Sequence, residues 1–148
     1  MKFKEIVIIY YFVSLLVAQE WRINIQAEIN AFNLDFDFPE DNNNYLGVSY
    51  SSSDNYDELD MPAEPPGLDN YIMFYFPHYE WENNPWPTYN FTQDIKQNDS
   101  TLTSQQGKTW IAEIFSNVSG DVSIIAFPEN TEEFPNCNVS FTIDEIEY

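Results

Sequence analysis

Apolar and polar residues alternate without a break from Trp21 to Ala31, and this pattern constrains the fold more than any other feature of the chain. The odd positions hold Trp, Ile or Ala, and the even positions hold Arg, Asn, Gln or Glu. A period of two places successive side chains on opposite faces of a β-strand, whereas an amphipathic helix needs a period near 3.6. The segment is therefore predicted to be a strand with one face in the core.

Short apolar segments separated by turn residues follow, and none shows a sustained helical period. The alternation moves to the even positions over 32–38, which predicts a β-bulge or a turn, and the polar run 40–44 is predicted to break the pattern. Further strands are predicted at 45–50, 71–76, 89–95, 109–115, 122–127 and 139–146. Seven or eight antiparallel strands of this kind predict an all-β fold, specifically an immunoglobulin-like β-sandwich.

The first 18 residues have the pattern of a secretory signal peptide. A short basic start precedes an uncharged apolar run over 6–18, and polar residues follow at once. Such a run is as long as a signal-peptide core and shorter than a bilayer-spanning helix. We predict cleavage after Ala18, a single domain over 19–148, and a secreted or cell-surface location. An uncleaved anchor is the alternative, because Leu16 is large for its position.

The charge balance limits the choice of partners. Twenty-five acidic side chains against five basic ones give a formal charge of -20. Removal of residues 1–18 leaves twenty-four acids against three bases, so the exported protein would carry -21. A field of this sign repels polyanions, which excludes nucleic acid as a partner. An aromatic content of 18% nevertheless indicates a packed domain rather than a disordered chain.

The chain offers little thiol or imidazole chemistry. Cys137 is the sole cysteine and His78 the sole histidine, so an internal disulfide cannot form and a catalytic Cys–His pair or a zinc site has little support. We expect Cys137 to be a small buried hydrophobe, with an intermolecular disulfide as the alternative. The sequence therefore predicts a protein that is not an enzyme.

Three segments carry a distinctive combination of residues: LGVSY at 46–50, NYDELDMPAEPP at 55–66 and YIMFYFPHYEW at 71–81. Their order resembles a module of large secreted bacterial proteins, in which an FG strand precedes a YD..LD.PEPP segment and a Y...YFPH.EW strand. Asp94-Ile95-Lys96 and the residues around Trp110 fall in the matching order, so the resemblance spans roughly 21–146.

This resemblance implies a secreted or cell-surface immunoglobulin-like sandwich without known catalysis, in proteins that often carry type IX sorting tails or dockerins. The chain departs from the module in two ways. Leu46 replaces the usual Phe before Gly47, and no sorting tail precedes Tyr148. The resemblance therefore implies neither a secretion route nor a partner. The position of His78 after Phe76-Pro77 in the matching segment implies a structural hydrogen bond at a strand end.

One candidate site is a cluster of carboxylates in a Ser-rich segment, formed by Asp54, Asp57, Glu58 and Asp60. Oxygen ligands at such spacing suit a hard cation such as calcium outside the cell, although the spacing is not that of an EF-hand. In a chain with so many acids such clusters arise by chance, so a solvated turn is the favoured interpretation and a calcium site the alternative. Apart from calcium, no cofactor is expected.

A second candidate site is aromatic. Tyr79, Trp81 and Trp86, with Trp110 nearby, are candidates to present flat faces to sugar rings or to a protein surface. The favoured interpretation of Trp81 is packing over one end of the sandwich, and a binding platform is the alternative. Four Asn-X-Ser/Thr sequons are candidate glycosylation sites: Asn90, Asn98, Asn117 and Asn138.

Taken together, the residues predict a non-catalytic extracellular module for structural or adhesive interactions with a protein or a glycan. A carbohydrate-binding module is one alternative. Another is a filament subunit that donates the Trp21–Ala31 strand to a neighbouring copy, although completing its own sheet is the default for such a strand.

Overall fold

A computed structural model describes residues 20–31, 38–98 and 108–129, together with the backbone of 3–13 and 137–147. These residues form nine strands and no helix, which confirms the all-β class. The strands are β1 (Phe3–Val13), β2 (Trp21–Ala31), β3 (Glu40–Ser49), β4 (Met61–Pro62), β5 (Ile72–Pro77), β6 (Asn90–Gln97), β7 (Thr109–Ser116), β8 (Gly120–Pro128) and β9 (Cys137–Glu147). The described chain accordingly contains no helix with the length and hydropathy needed to cross a membrane.

The strands form one mixed sheet in the order β8-β2-β3-β6-β5-β7-β1-β9, with β4 added on β6. Neighbours are antiparallel except β3 and β6, which run parallel and therefore depart from the all-antiparallel prediction. A parallel pair needs a long crossover, and the segment between these two strands supplies it, because it contains β4 and β5. β5 meets β6 only at Phe76 and Pro77, so the sheet bends there and curls into a half-barrel.

The core lies inside this curl. The odd positions of β2 are buried, as the alternation predicts, and they face apolar side chains of β5 and β7. Trp21 packs edge-on against Trp110 with ring centroids 5.7 Å apart, and Phe74 packs in the same way against Phe76 at 5.5 Å. Edge-to-face pairs of this kind contribute roughly 0.5–1.5 kcal/mol beyond the apolar area that they bury.

The prediction that residues 40–44 break the strand pattern is wrong, because β3 begins at Glu40. The register between β2 and β3 shifts between Ile25 and Ala27, and this bulge accommodates the polar run. Asn44 is fully buried there, and its amide donates to the carbonyl oxygen of Ile25. Asp41 accepts from the backbone amide of Phe74 at 2.8 Å. Side-chain hydrogen bonds thus stabilise a strand that its polar sequence does not predict, although the buried Oδ1 of Asn44 has no hydrogen-bond partner among the described residues.

Gly47, near the end of β3, lies opposite Arg22 in the β2–β3 ladder. A Cβ atom at this position would press against the carbonyl oxygen of Trp21, so glycine allows the close approach of the two strands. Leu46 beside it is buried in the core.

Residues 3–13, which the sequence assigns to a signal peptide, form β1 between β7 and β9, antiparallel to both. The same Ile, Val and Tyr residues that suit a signal-peptide core also suit a strand. Cleavage after Ala18 would remove β1 and leave β7 and β9, which run parallel to each other, with an open position between them. The predicted phase slip lies largely in 32–37, outside the described residues, as does the polar loop 99–107.

Candidate functional site

The segment that joins β5 to β6, residues 78–89, is called the aromatic loop below. The backbone amide of His78 donates to the carbonyl oxygen of Tyr89 at 2.8 Å and so closes its base. The side-chain oxygen of Asn84 accepts from the backbone amide of Trp86 at 2.9 Å, and prolines on both sides of Trp86 restrict the backbone further. The loop therefore has a defined shape although it lies at the surface.

The imidazole of His78 lies beneath this loop, stacked on Trp81 with ring centroids 3.6 Å apart and planes 4° from parallel. The two residues are only 6% and 4% exposed. Nδ1 lies 2.7 Å from Oε1 of Glu80, and Nε2 lies 3.0 Å from Oδ2 of Asp94. Because ionised carboxylates only accept hydrogen bonds, both ring nitrogens fit as donors, which requires the imidazolium form. A cation on the indole face adds a further attraction.

The pKa shifts of His78 and Glu80 agree with the imidazolium form of His78. Burial by itself would lower the pKa of His78, but the hydrogen bonds and charges of Asp94 and Glu80 outweigh burial and hold the pKa above its ordinary value of 6.5. Burial likewise opposes ionisation of Glu80, yet the contact with His78 lowers the pKa of that carboxyl below 4.5. The structural hydrogen bond predicted for His78 is confirmed, and it is one of two.

Strand β6 connects these ions to the apolar core. Asp94 is 2% exposed, and the ammonium of Lys96 lies 3.6 Å from its carboxylate. The backbone carbonyl oxygen of Asp94 accepts from the indole N–H of Trp110 at 3.1 Å. Both carboxylates lie in segments that carry the resemblance, but the sequence does not show that they bond to His78. Glu80 is two residues from His78 along the chain, whereas Asp94 reaches it through the β5–β6 pairing.

Asp60 adds a second buried carboxyl beside Asp94. Its two oxygens accept from the backbone amides of Asp57, at 2.9 Å, and of Ile95, at 3.1 Å. Burial raises the pKa of Asp60 to about 7; the two amide hydrogen bonds oppose this, while the charges of Asp94 and Asp57 reinforce it. Asp60 therefore ties the segment before β4 to β6 and titrates near neutral pH. We call His78, Glu80, Asp94, Lys96 and Asp60 the ion cluster.

The four carboxylates predicted as calcium ligands have separate roles. Asp54 binds the ammonium of Lys108 at 2.9 Å, and Asp57 accepts from two backbone amides of its own turn. Glu58 is exposed and Asp60 is buried. In the ranges that the structure describes, no three His, Cys, Asp or Glu side chains are grouped to hold a metal. Calcium binding by this segment stays a prediction.

The predicted aromatic set divides into buried and exposed members. Trp81 and Trp110 are buried, whereas Tyr79 is 67% and Trp86 47% exposed. Tyr89 joins the exposed group at 51%, with its ring centroid 5.8 Å from that of Tyr79. The sequence does not separate Tyr89 from Phe91, since both occupy odd positions of one predicted strand and Phe91 is buried. We call Tyr79, Trp86 and Tyr89 the aromatic platform.

Tyr56 joins the platform to the buried rings. Its hydroxyl accepts from the indole N–H of Trp86 at 3.1 Å. Its ring packs against Trp81 and Phe91, each with centroids 6.1 Å away. The hydrogen bond to the half-buried Tyr56 thereby fixes the position of the exposed Trp86 ring.

The sequons lie at ends of strands. Asn90 begins β6, Asn98 follows it, Asn117 lies exposed between β7 and β8, and Asn138 is the second residue of β9. Asn117 accepts from the backbone amide of Tyr71 at 2.8 Å. Cys137 begins β9, and its side chain lies outside the description.

No protein-family model, no curated protein and no solved structure matches this chain. The resemblance to secreted bacterial modules therefore stays a prediction from the sequence. In the structure the ring of Tyr56 packs against Trp81, and Asp60 accepts from the backbone amide of Ile95, the neighbour of Asp94, which is bonded to His78.

Proposed function

We propose that this protein is a secreted or cell-surface, non-catalytic β-sandwich module that mediates structural or adhesive contacts through the aromatic platform. One observation carries the proposal. Three exposed rings, Tyr79, Trp86 and Tyr89, lie on a loop whose base is fixed by the buried His78–Trp81 stack. Large rings that are already ordered bind a partner with little loss of conformational entropy.

The geometry of the sole histidine supports a non-catalytic role. A general base needs a free ring nitrogen that can reach a substrate proton. In His78 both nitrogens are bonded to carboxylates, and the ring is buried against Trp81.

The signal-peptide pattern, the four sequons and the acidic surface support an extracellular location. The likeness to secreted modules points the same way. N-terminal mass spectrometry of the protein recovered outside the cell tests this part: a start at Gln19 supports cleavage after Ala18, and retention of residues 1–18 on an intracellular protein contradicts it.

An immunoglobulin-like arrangement accounts for the two halves of the sheet. β8, β2, β3 and β6 form one half, and β5, β7, β1 and β9 form the other. The halves are joined through two residues of β5, and their inner faces share the core that contains Trp21 and Trp110. Two facing layers of this kind are the basis of a β-sandwich.

An adhesion assay tests the proposed role. The mature protein, displayed on beads, is expected to adhere to cells or extracellular matrix of its host, and adhesion should fall to background in the triple variant Tyr79→Ala/Trp86→Ala/Tyr89→Ala. The matched control is Ile125→Ala/Phe127→Ala, which removes exposed apolar side chains from β8. Equal adhesion of the two variants contradicts the proposal.

The position of β1 favours a second candidate, a filament subunit built by strand donation. The predicted donor, β2, is paired on both edges within its own chain, with β3 and β8. Removal of the signal peptide would instead open a position between β7 and β9, where a strand of another copy could add. Light scattering of the precursor and the mature form separates the two: concentration-dependent assembly of the mature form alone supports the filament, and a monomer at every concentration overturns it.

A further inference from the structure

We propose that the aromatic platform is a binding site for a neutral glycan, recognised by stacking of its sugar rings on Tyr79, Tyr89 and Trp86. This inference rests on the proposed adhesive function and names the chemical class of its ligand. It is drawn from the ring geometry, the rigidity of the loop and the charges around it.

The ring geometry suits flat apolar faces such as those of pyranose sugars. Tyr79 and Tyr89 lie side by side, 5.8 Å between centroids and tilted by 43°, and each is more than half exposed. Rings in mutual contact leave no gap that would enclose a cation, so the pair forms a surface and not a cage. Trp86, 47% exposed, lies three residues before Tyr89 on the same loop and supplies a further ring for stacking.

The rigidity of the loop suits a ligand that binds through few contacts. Trp86 is held by the hydroxyl of Tyr56 and by the side chain of Asn84, at 3.1 and 2.9 Å. Tyr89 is held by the backbone bond from His78. Because these contacts exist before binding, little stacking energy is spent on ordering the rings.

The charges beside the platform exclude an anionic ligand. Residues 78–89 contain Glu80 and Glu82 and no lysine or arginine. The two cations of the ion cluster are already paired and little exposed: His78 is bonded to Glu80 and Asp94 and is 6% exposed, and the Lys96 side chain lies against Asp94 and is 17% exposed. Exposed carboxylate and amide groups accept hydrogen bonds from sugar hydroxyls, so a neutral polyol satisfies the polar rim while a uronate or sulfate is repelled.

The test uses native affinity electrophoresis of the mature protein in gels that contain one polymer each. The neutral polymers are a mixed-linkage glucan, a galactomannan and a xylan, and polygalacturonate is the anionic comparison. We expect retardation by at least one neutral polymer, with a Kd of about 1 mM or tighter, and none by polygalacturonate. Tyr79→Ala and Trp86→Ala should each weaken binding about tenfold.

Two controls separate stacking from other effects. Tyr79→Phe keeps the ring and should bind within about twofold of the parent protein, and Ile125→Ala should change nothing. Circular dichroism verifies that every variant is folded, which is expected because the platform side chains are exposed.

Three outcomes overturn the inference: no retardation by any neutral polymer, stronger retardation by polygalacturonate than by the neutral ones, or retention of binding in Tyr79→Ala and Trp86→Ala. If neutral glycans fail while bead adhesion still depends on the platform, the ligand is a protein and the proposed function survives. If bead adhesion is also independent of the platform, both proposals fail.

Discussion

The apolar core and the ion cluster are both buried, but different forces hold them together. Phe74, Phe76 and Trp110 are fully buried among apolar neighbours, so their contribution comes from surface removed from water and is independent of pH. The ion cluster buries His78, Asp94 and Asp60, which are stable there only because each is hydrogen-bonded or paired.

The two buried regions also have different structural roles. The core fixes the sheet, and the ion cluster fixes the aromatic loop that the sheet presents to solvent. The two are joined where the carbonyl oxygen of Asp94 accepts from the indole of Trp110. Four measurements test this difference between the apolar core and the ion cluster.

Trp110→Ala should have the largest effect. It removes a fully buried indole and its edge contact with Trp21, so we expect a loss of about 3–5 kcal/mol in the free energy of unfolding, measured with urea at two pH values. Ile111→Ala, on the exposed neighbour, should cost about 0.5 kcal/mol or less. If the alanine variant does not fold, Trp110→Phe replaces it in the measurement. Equal losses at positions 110 and 111 would contradict the burial that defines the core.

Asp94→Asn should follow, because it leaves His78 and Lys96 without their buried partner. We expect a loss of about 3 kcal/mol and a fall in the pKa of His78, read from its ring protons by NMR. Glu80→Gln is the matched control; its carboxylate is largely exposed, and it should cost less than about 1 kcal/mol. The assignment is wrong if Glu80→Gln lowers the His78 pKa more than Asp94→Asn does.

The ion cluster also predicts a pH dependence. A His78 pKa held above 6.5 gives stability that is complete below 6.5 and lost as pH rises through the folded value. Asp60, with a pKa moved from 3.8 to about 7, is favoured in its protonated form, so its ionisation removes stability as pH rises from 3.8 to about 7. The lowered pKa of Glu80 acts oppositely, below 4.5.

We therefore expect Tm to be highest at about pH 5 and to fall by roughly 5–10 °C at about pH 8. Thermal unfolding followed by circular dichroism measures it. Asp60→Asn should be less stable at the acidic end and show a shallower fall, because one titration is gone. A Tm that rises toward pH 8 would refute the signs assigned to His78 and Asp60.

Arg22→Gln should have the smallest effect. The Arg22–Glu129 ion pair is 2.7 Å long but has solvent access on both sides, so we expect a loss of up to about 1 kcal/mol that vanishes in about 1 M salt. Asp94→Asn in the same salt should keep most of its loss. A larger effect at Arg22 than at Asp94 would remove the distinction between surface and buried ions.

Much of the strand content follows from local pattern. The alternation that predicts a strand from Trp21 to Ala31 matches β2 residue for residue. The start of β3 escaped prediction because its polar residues are satisfied by partners distant in sequence, such as the Phe74 amide that donates to Asp41. Pattern alone reports which face is apolar and carries no information on such partners.

The candidate site was predictable in part. Exposed rings at Tyr79 and Trp86 agree with the predicted aromatic surface, whereas Trp81 lies beneath it and Tyr89 takes its place. Asp54, Asp57 and Asp60 look equivalent in the sequence, yet only Asp60 is buried and bonded to β6. Burial of a carboxyl depends on which backbone amides happen to face it.

By itself, then, the sequence determined an all-β chain with an acidic exterior, because side-chain alternation and net charge are local or additive properties. Only the tertiary structure decided that β3 and β6 run parallel, that His78 meets Asp94, and that three rings remain exposed at one loop. Those features depend on strand register and on the approach of segments far apart in the chain, and no local pattern encodes either one.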